Sequence, residues 1–184
     1  MTSVRIDIYP NEDTGTHLLD VTAMPEGLVS PDDLPGRSAD IVLDDAQPRP
    51  GAQSLHFVQA VASPCGLDHV GQPDHVHYAY LYHPQDETEI LDFDRRITEA
   101  YSAFYAGRGL FYAGTFHVTG PDGPSIGEIV SMDTPDRKEA ERRGEYDLSE
   151  EIIAIEDECR TLQDRTRPRY LLWLTPRQTS SVVP

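Results

Sequence analysis

Lysine is almost missing from this chain. Lys138 is the one lysine in 184 residues, and the basic total of 15 faces 32 Asp and Glu, for a net charge of −17. The deficit is spread evenly: residues 1–73 carry 3 basic and 11 acidic side chains, residues 74–184 carry 12 and 21. No basic patch could neutralise a row of phosphates, which argues against nucleic acid as a partner. An anionic membrane surface would repel the chain as well. No apolar run reaches the roughly 18 residues of a spanning helix. The opening Met1-Thr2-Ser3-Val4-Arg5-Ile6-Asp7 lacks the basic and apolar stretches of a secretion signal. The expected location is therefore cytoplasmic. Cysteine is scarce too: Cys65 and Cys159 sit in no CxxC pattern and are expected to stay free. No phosphate-binding glycine loop exists, since Gly107-Arg108-Gly109 is too short and reads as a helix stop. Ser102 and Ser125-Ile126-Gly127 lack a nucleophile elbow, which argues against a serine hydrolase.

What is present is a foldable chain, 38% hydrophobic with nine tyrosines, of a length that suits one domain with an extension. Residues 1–73 read as a β-rich extension. Val4, Ile6 and Ile8 alternate with polar neighbours, and His17–Met24 and Ser54–Ala62 also have strand character. Pro25–Gly51, rich in Pro, Gly and Asp, is expected to be irregular and at the surface. A turn cluster, Ser63–Asp74, leads into a main unit over residues 74–177, and 178–184 reads as a disordered tail.

The main unit alternates strands and helices. Strand-like His75–His83 precedes a helix over Asp86–Tyr105, whose Ile90, Phe93, Ile97, Ala100, Tyr101 and Phe104 recur at three-four spacing. Strands over Gly109–Thr119 and Gly127–Asp133 follow. A long helical region, Asp136–Gln163, then carries Leu148, Ile152, Ile155, Cys159 and Leu162 on one stripe. Gly144 divides this region, and Asp147 or Ser149 suits the cap of its second part. A strand over Arg169–Leu174 closes the unit. The βαββαβ order predicts an α+β, ferredoxin-like antiparallel sheet with both helices on one face.

His75-Val76-His77-Tyr78-Ala79-Tyr80-Leu81-Tyr82, Gly127-Glu128-Ile129-Val130-Ser131-Met132-Asp133 and the step Thr134-Pro135-Asp136-Arg137-Lys138-Glu139-Ala140 resemble the dimeric α/β-barrel superfamily. That group includes NIPSNAP-like, EthD-like and antibiotic-biosynthesis-monooxygenase-like proteins. The resemblance covers roughly residues 74–177 in topology and spacing. It implies a homodimer in which two sheets face each other. It also implies a small aromatic or polyketide-like ligand, and in some members cofactor-free cyclase or monooxygenase chemistry or bound haem.

The residues themselves point to histidine chemistry. His75 and His77 are two apart on a strand and share a face. On the next strand Phe111, Ala113, Thr115 and His117 should share the open face, while Leu110, Tyr112, Gly114, Phe116 and Val118 meet the helices. His75, His77 and His117 are thus the candidate catalytic acids and bases, since imidazole titrates near neutrality. Tyr80, Phe111, Thr115 and Trp173 are candidate substrate contacts, Tyr80 only if the faces are reversed. The alternatives are histidines buried for structure, a binding or oligomerisation protein without turnover, and a metal or haem enzyme. In the last, His75 and His77 would be ligands, with His117 or Glu128 as a third. The primary expectation is a small-molecule enzyme of specialised metabolism that uses neither metal nor organic cofactor. Glu150-Glu151 and Glu156-Asp157-Glu158 read as a solvated helix face.

Overall fold

The computed structural model describes residues 3–10, 18–20, 37–42, 51–72, 74–82, 84, 86–120, 124–134, 137, 140, 143–165 and 169–176, with side chains among them within 3–7 and 51–162. The expected tail 178–184 lies outside the described residues. The elements are β1 (Ser3–Pro10), β2 (Leu18–Asp20), β3 (Arg37–Val42), β4 (Gln53–Ala62), β5 (Val76–Tyr82), α1 (Glu87–Ala106), β6 (Leu110–Thr119), β7 (Ser125–Met132), α2 (Glu150–Arg165) and β8 (Arg169–Pro176). The chain is α+β: the described elements form a curled, largely antiparallel sheet with two helices, an arrangement compatible with a ferredoxin-like fold. No described helix is long and apolar enough to cross a membrane.

The main unit's strands run in the order β8-β5-β7-β6, each antiparallel to its neighbours. The sheet continues past β6 through β4 and β1 to β3. β8 also pairs with β2 and with β3, so the curl closes on itself. β1, β2, β3 and β4 are therefore part of the same sheet. β3 corrects the expectation that Pro25–Gly51 lacks regular structure; with only Ala39, Ile41 and Val42 apolar, its sequence signal is short. Of His17–Met24, only Leu18–Asp20 is a described strand.

Both helices pack on one side of the sheet. α1 contributes Phe93, Ile97 and Tyr105, and α2 contributes Ile152 and Ile155, against Tyr78, Leu110, Tyr112, Val130 and Met132. The Asp86 side chain caps α1 by accepting from the Thr88 amide at 2.9 Å. Ser149 Oγ accepts from the Ile152 amide at 3.3 Å at the start of α2. Residues 143–149 are not helical, so the long helical region is interrupted, and Gly144 there has φ 66°.

The other face of the sheet was expected to carry the candidate histidines and to be covered by a second subunit. It is instead filled by the chain itself: Val4 and Ile6 of β1 and Phe57 of β4 join Ala79, Leu81, Phe116, Val118 and Ile129 in a buried core. Val70, from the turn cluster before β5, closes it. Gly127 leaves room for Phe57, whose ring a Cβ at that position would strike. Among the described residues this face is therefore buried within the chain.

Candidate functional site

β6 does not alternate cleanly, and this rearranges the candidate residues. A bulge at Ala113 and Gly114 shifts its register against β7, and a second irregularity at Ala60 shifts β4 against it. Gly114 takes φ 123°, and a Cβ there would collide with the Val61 carbonyl. Before the bulge Tyr112 faces the helices. After it Phe116 and Val118 face the inner core, while Thr115 faces the helices. The expectation that Thr115 and His117 share the face of His75 and His77 is corrected accordingly. His117 is exposed and ion-paired with Glu87 at the start of α1.

His75 and His77 do lie together. The His77 side chain is fully buried, with Nδ1 2.8 Å from Ser131 Oγ and Nε2 3.2 Å from the Gln72 carbonyl oxygen. A carbonyl only accepts, so Nε2 carries the proton and Nδ1 accepts from the Ser131 hydroxyl. Burial pushes the imidazole down to about 4, with the Gln72 carbonyl opposing. At neutral pH His77 is uncharged with both nitrogens engaged, the geometry of a structural histidine. His75 Nδ1 lies 3.0 Å from Asp74. Its ring centroid is 6.4 Å from that of His77 and 5.7 Å from that of Phe111. Phe111 stacks on His69 at 3.6 Å. The structure therefore gathers His75, His77 and Phe111, joined by His69, but not His117, Thr115 or Tyr80. Among the described residues, no three His, Cys, Asp or Glu are arranged to hold a metal ion. The Trp173 backbone pairs with Tyr78 across β8 and β5; its side chain lies outside the described residues.

The helix side of the sheet holds a different site. A cleft of about 230 Å³ opens between β5, β6, β7 and the two helices. Its aromatic walls are Tyr78, Tyr80, Phe93, Tyr101 and Tyr112, and Asp94, Glu128, Glu156, Cys159 and Arg160 also border it. Tyr80 thus meets a cavity, but on the helix side. Asp94 is the central group. Its residue is 3% exposed, Thr115 Oγ1 donates to its Oδ2 at 2.7 Å, and the Tyr112 hydroxyl lies 2.6 Å from Thr115 Oγ1. With Asp94 ionised, Thr115 spends its one proton on the carboxylate, and Tyr112 donates to Thr115. Asp94 Oδ1 receives no hydrogen bond among the described residues, and the carboxyl borders the cleft. Burial raises Asp94 to about 6, and the bond from Thr115 restrains the rise.

The negative character of the cleft shows in its neighbours. The Tyr112 phenol is pushed well above its usual value by burial, then by Glu128 and Asp94. The Cys159 thiol is raised by burial, then by Glu128, Glu156 and Asp94. Glu156 Oε1 accepts from the Tyr105 hydroxyl at 2.7 Å. This half-buried residue departs from the solvated face expected of Glu156-Asp157-Glu158; the other two are exposed.

Asp94 carries a signal in the sequence. It falls at helical spacing between Ile90, Ile97 and Tyr101, a carboxylate on an otherwise apolar stripe. Glu128 likewise interrupts the alternation Ile126, Val130 and Met132 on the helix-facing side of β7. Charged groups at core positions are costly unless paired or used.

In comparisons with known proteins, the chain matches no protein family, no curated protein and no solved structure.

Proposed function

We propose that the protein is a small-molecule enzyme whose substrate occupies the cleft between sheet and helices, with Asp94 as the group that gives or takes the proton. The observation that carries this reading is the placement of Asp94. Asp94 is buried, one oxygen of its carboxyl is held by Thr115, and the other receives no hydrogen bond from the described residues where the carboxyl borders a cavity lined by aromatic rings. A carboxyl raised to about 6 exchanges protons near neutral pH, where an ordinary aspartate is fully ionised. The role first assigned to His75, His77 and His117 passes to Asp94, because His77 is engaged at both nitrogens and His117 stands apart.

The substrate class remains that of the resemblance, a small aromatic or polyketide-like molecule of specialised metabolism. Cyclase- or monooxygenase-type acid–base chemistry would need no metal or organic cofactor. We read the topology as that of the dimeric α/β-barrel group, with β1 and β4 of this chain covering the face that a second subunit covers there. A protein that binds without turnover would use the same cleft.

The test is a library of one- and two-ring molecules, screened by ligand-detected NMR and followed by mass spectrometry for conversion. Ligands bound by wild type and converted only when Asp94 is intact support the enzyme. Ligands bound but unconverted by both wild type and Asp94→Asn indicate a binding protein. A screen with no ligand that perturbs Tyr80 or Tyr112 would sink the assignment of the cleft.

A further inference from the structure

From the chemistry of the cleft walls, we infer that its ligand is a small organic cation, an amine carried on an aromatic ring. The inference rests on the reading of the cleft as a ligand site and goes beyond it by fixing the sign of the charge. Three observations converge.

Aromatic rings from β5, β6 and α1 wall the cleft. Tyr78 and Tyr80 meet edge to face, 5.2 Å apart at 85°, and Tyr101 and Tyr112 do the same, 5.9 Å apart at 76°. An edge-to-face pair turns its rings at right angles, so neighbouring walls can offer π-faces to one bound group. The negative face of an aromatic ring attracts a cation within about 6 Å. Phe93 adds a further ring to the lining.

Among the described residues the charge at depth has one sign. Asp94, Glu128 and Glu156 border the cleft from α1, β7 and α2. The one basic side chain at the cleft among the described residues is Arg160. It reaches Asp157 at 3.2 Å and is 69% exposed, so its charge sits at the solvent edge. Asp94 Oδ1 supplies a hydrogen-bond acceptor with no donor among the described residues. A carboxylate or enolate ligand would meet this oxygen with repulsion; an ammonium would donate to it. Charge-assisted bonds of this kind are about twice as strong as neutral ones.

The size is restrictive. A volume of about 230 Å³ corresponds to roughly eight water molecules at ~30 Å³ each, room for one ring with a short aminoalkyl arm.

The experiment uses three probes of equal shape on the full chain at about pH 8: phenethylamine, 2-phenylethanol and phenylacetate. Binding is read by titration calorimetry and by NMR shifts of the tyrosine rings. Phenethylamine should bind at least about tenfold more tightly than 2-phenylethanol, and phenylacetate should bind weakest. Asp94→Asn should remove the preference for the amine while leaving binding of the alcohol. Its melting temperature at this pH should equal or exceed that of wild type, because a costly buried charge is lost. Glu151→Gln, an exposed acid on α2, should change nothing. Equal binding of amine and alcohol, or tighter binding of phenylacetate, overturns the inference and leaves the cleft as a ligand site. Failure of all three to perturb the tyrosines overturns the inference and the cleft assignment together.

Discussion

Thr115 and Asp94 are joined by one hydrogen bond of 2.7 Å that links β6 to α1 inside the protein. The bond does two things at once. It satisfies one oxygen of a carboxyl that burial would otherwise drive further toward its neutral form, and it ties the first helix to the sheet beside the cleft. Thr115→Val keeps the side-chain shape and removes the donor. Asp94 should then titrate at higher pH than in wild type, as followed by carboxyl carbon NMR. The Tyr112 hydroxyl loses its partner in the same step. A stability loss of about 1–3 kcal/mol is expected by chemical denaturation. An unchanged Asp94 titration would show that Thr115 does not tune it.

Asp94 and His77 should impose opposite slopes on stability against pH. Asp94 is raised from 3.8 to about 6, so the folded state holds its proton more tightly than the unfolded chain. Its contribution is full below about 4 and is lost as pH rises through about 6. His77 is lowered from 6.5 to about 4, so the folded state resists protonation. Its contribution is full above about 6.5 and is lost as pH falls through about 4. Each effect is on the order of 3 kcal/mol, and between about pH 4 and 6 the two nearly cancel. Asp94→Asn should therefore gain stability relative to wild type as pH rises through this window. His77→Asn should lose less than wild type as pH falls. Comparing each variant with wild type cancels the remaining carboxylates. Parallel curves for wild type and both variants would refute the buried titrations.

The bulge on β6 makes its own prediction. Gly114 sits at φ 123°, and a Cβ there would meet the Val61 carbonyl. Gly114→Ala should cost on the order of 2–4 kcal/mol, from backbone strain and the clash together. Thermal denaturation followed by circular dichroism would measure it. A neutral substitution would mean that the strand can straighten, which would carry Thr115 away from Asp94.

Much of this architecture was legible in the sequence, and its failures have identifiable causes. The helices were readable because Ile90, Phe93 and Ile97, then Ile152, Ile155 and Cys159, repeat at helical spacing, with Asp147 or Ser149 placed to cap the second. β5 was readable because alternation holds from Tyr78 to Tyr82, and β7 because Ile126, Val130 and Met132 alternate despite Glu128. β6 was readable as a strand but not as two half-strands. One extra residue reverses every side chain beyond it, and Gly114 alone did not reveal the reversal. Reading by strict alternation therefore put Thr115 and His117 on the wrong face and joined His117 to two histidines from which the fold separates it. Attention to imidazoles also hid the carboxylates. Asp94 and Glu128 break apolar patterns in plain view, yet Asp94's role depends on a hydrogen bond across 21 positions of sequence. The covering of the inner core by β1 and β4 was beyond local patterns, because it depends on which edge of the sheet the first strands join.

That covering can be tested at Phe57. Its side chain is fully buried, edge to face with Phe116 at 5.9 Å, and lies over the space left by Gly127. If β4 belonged to a loosely attached extension, removing the ring would leave the unfolding of residues 74–177 nearly untouched. If it forms the inner core, Phe57→Ala leaves a cavity among Ile6, Ala79, Phe116 and Ile129 and should cost about 3–5 kcal/mol. The loss should appear as one cooperative transition, coincident by far-UV circular dichroism and by fluorescence of Trp173, which lies in β8 at the other end of the chain. Two transitions, or a Trp173 signal that ignores the substitution, would separate the first strands from the core. They would also reopen the sheet face to a second subunit.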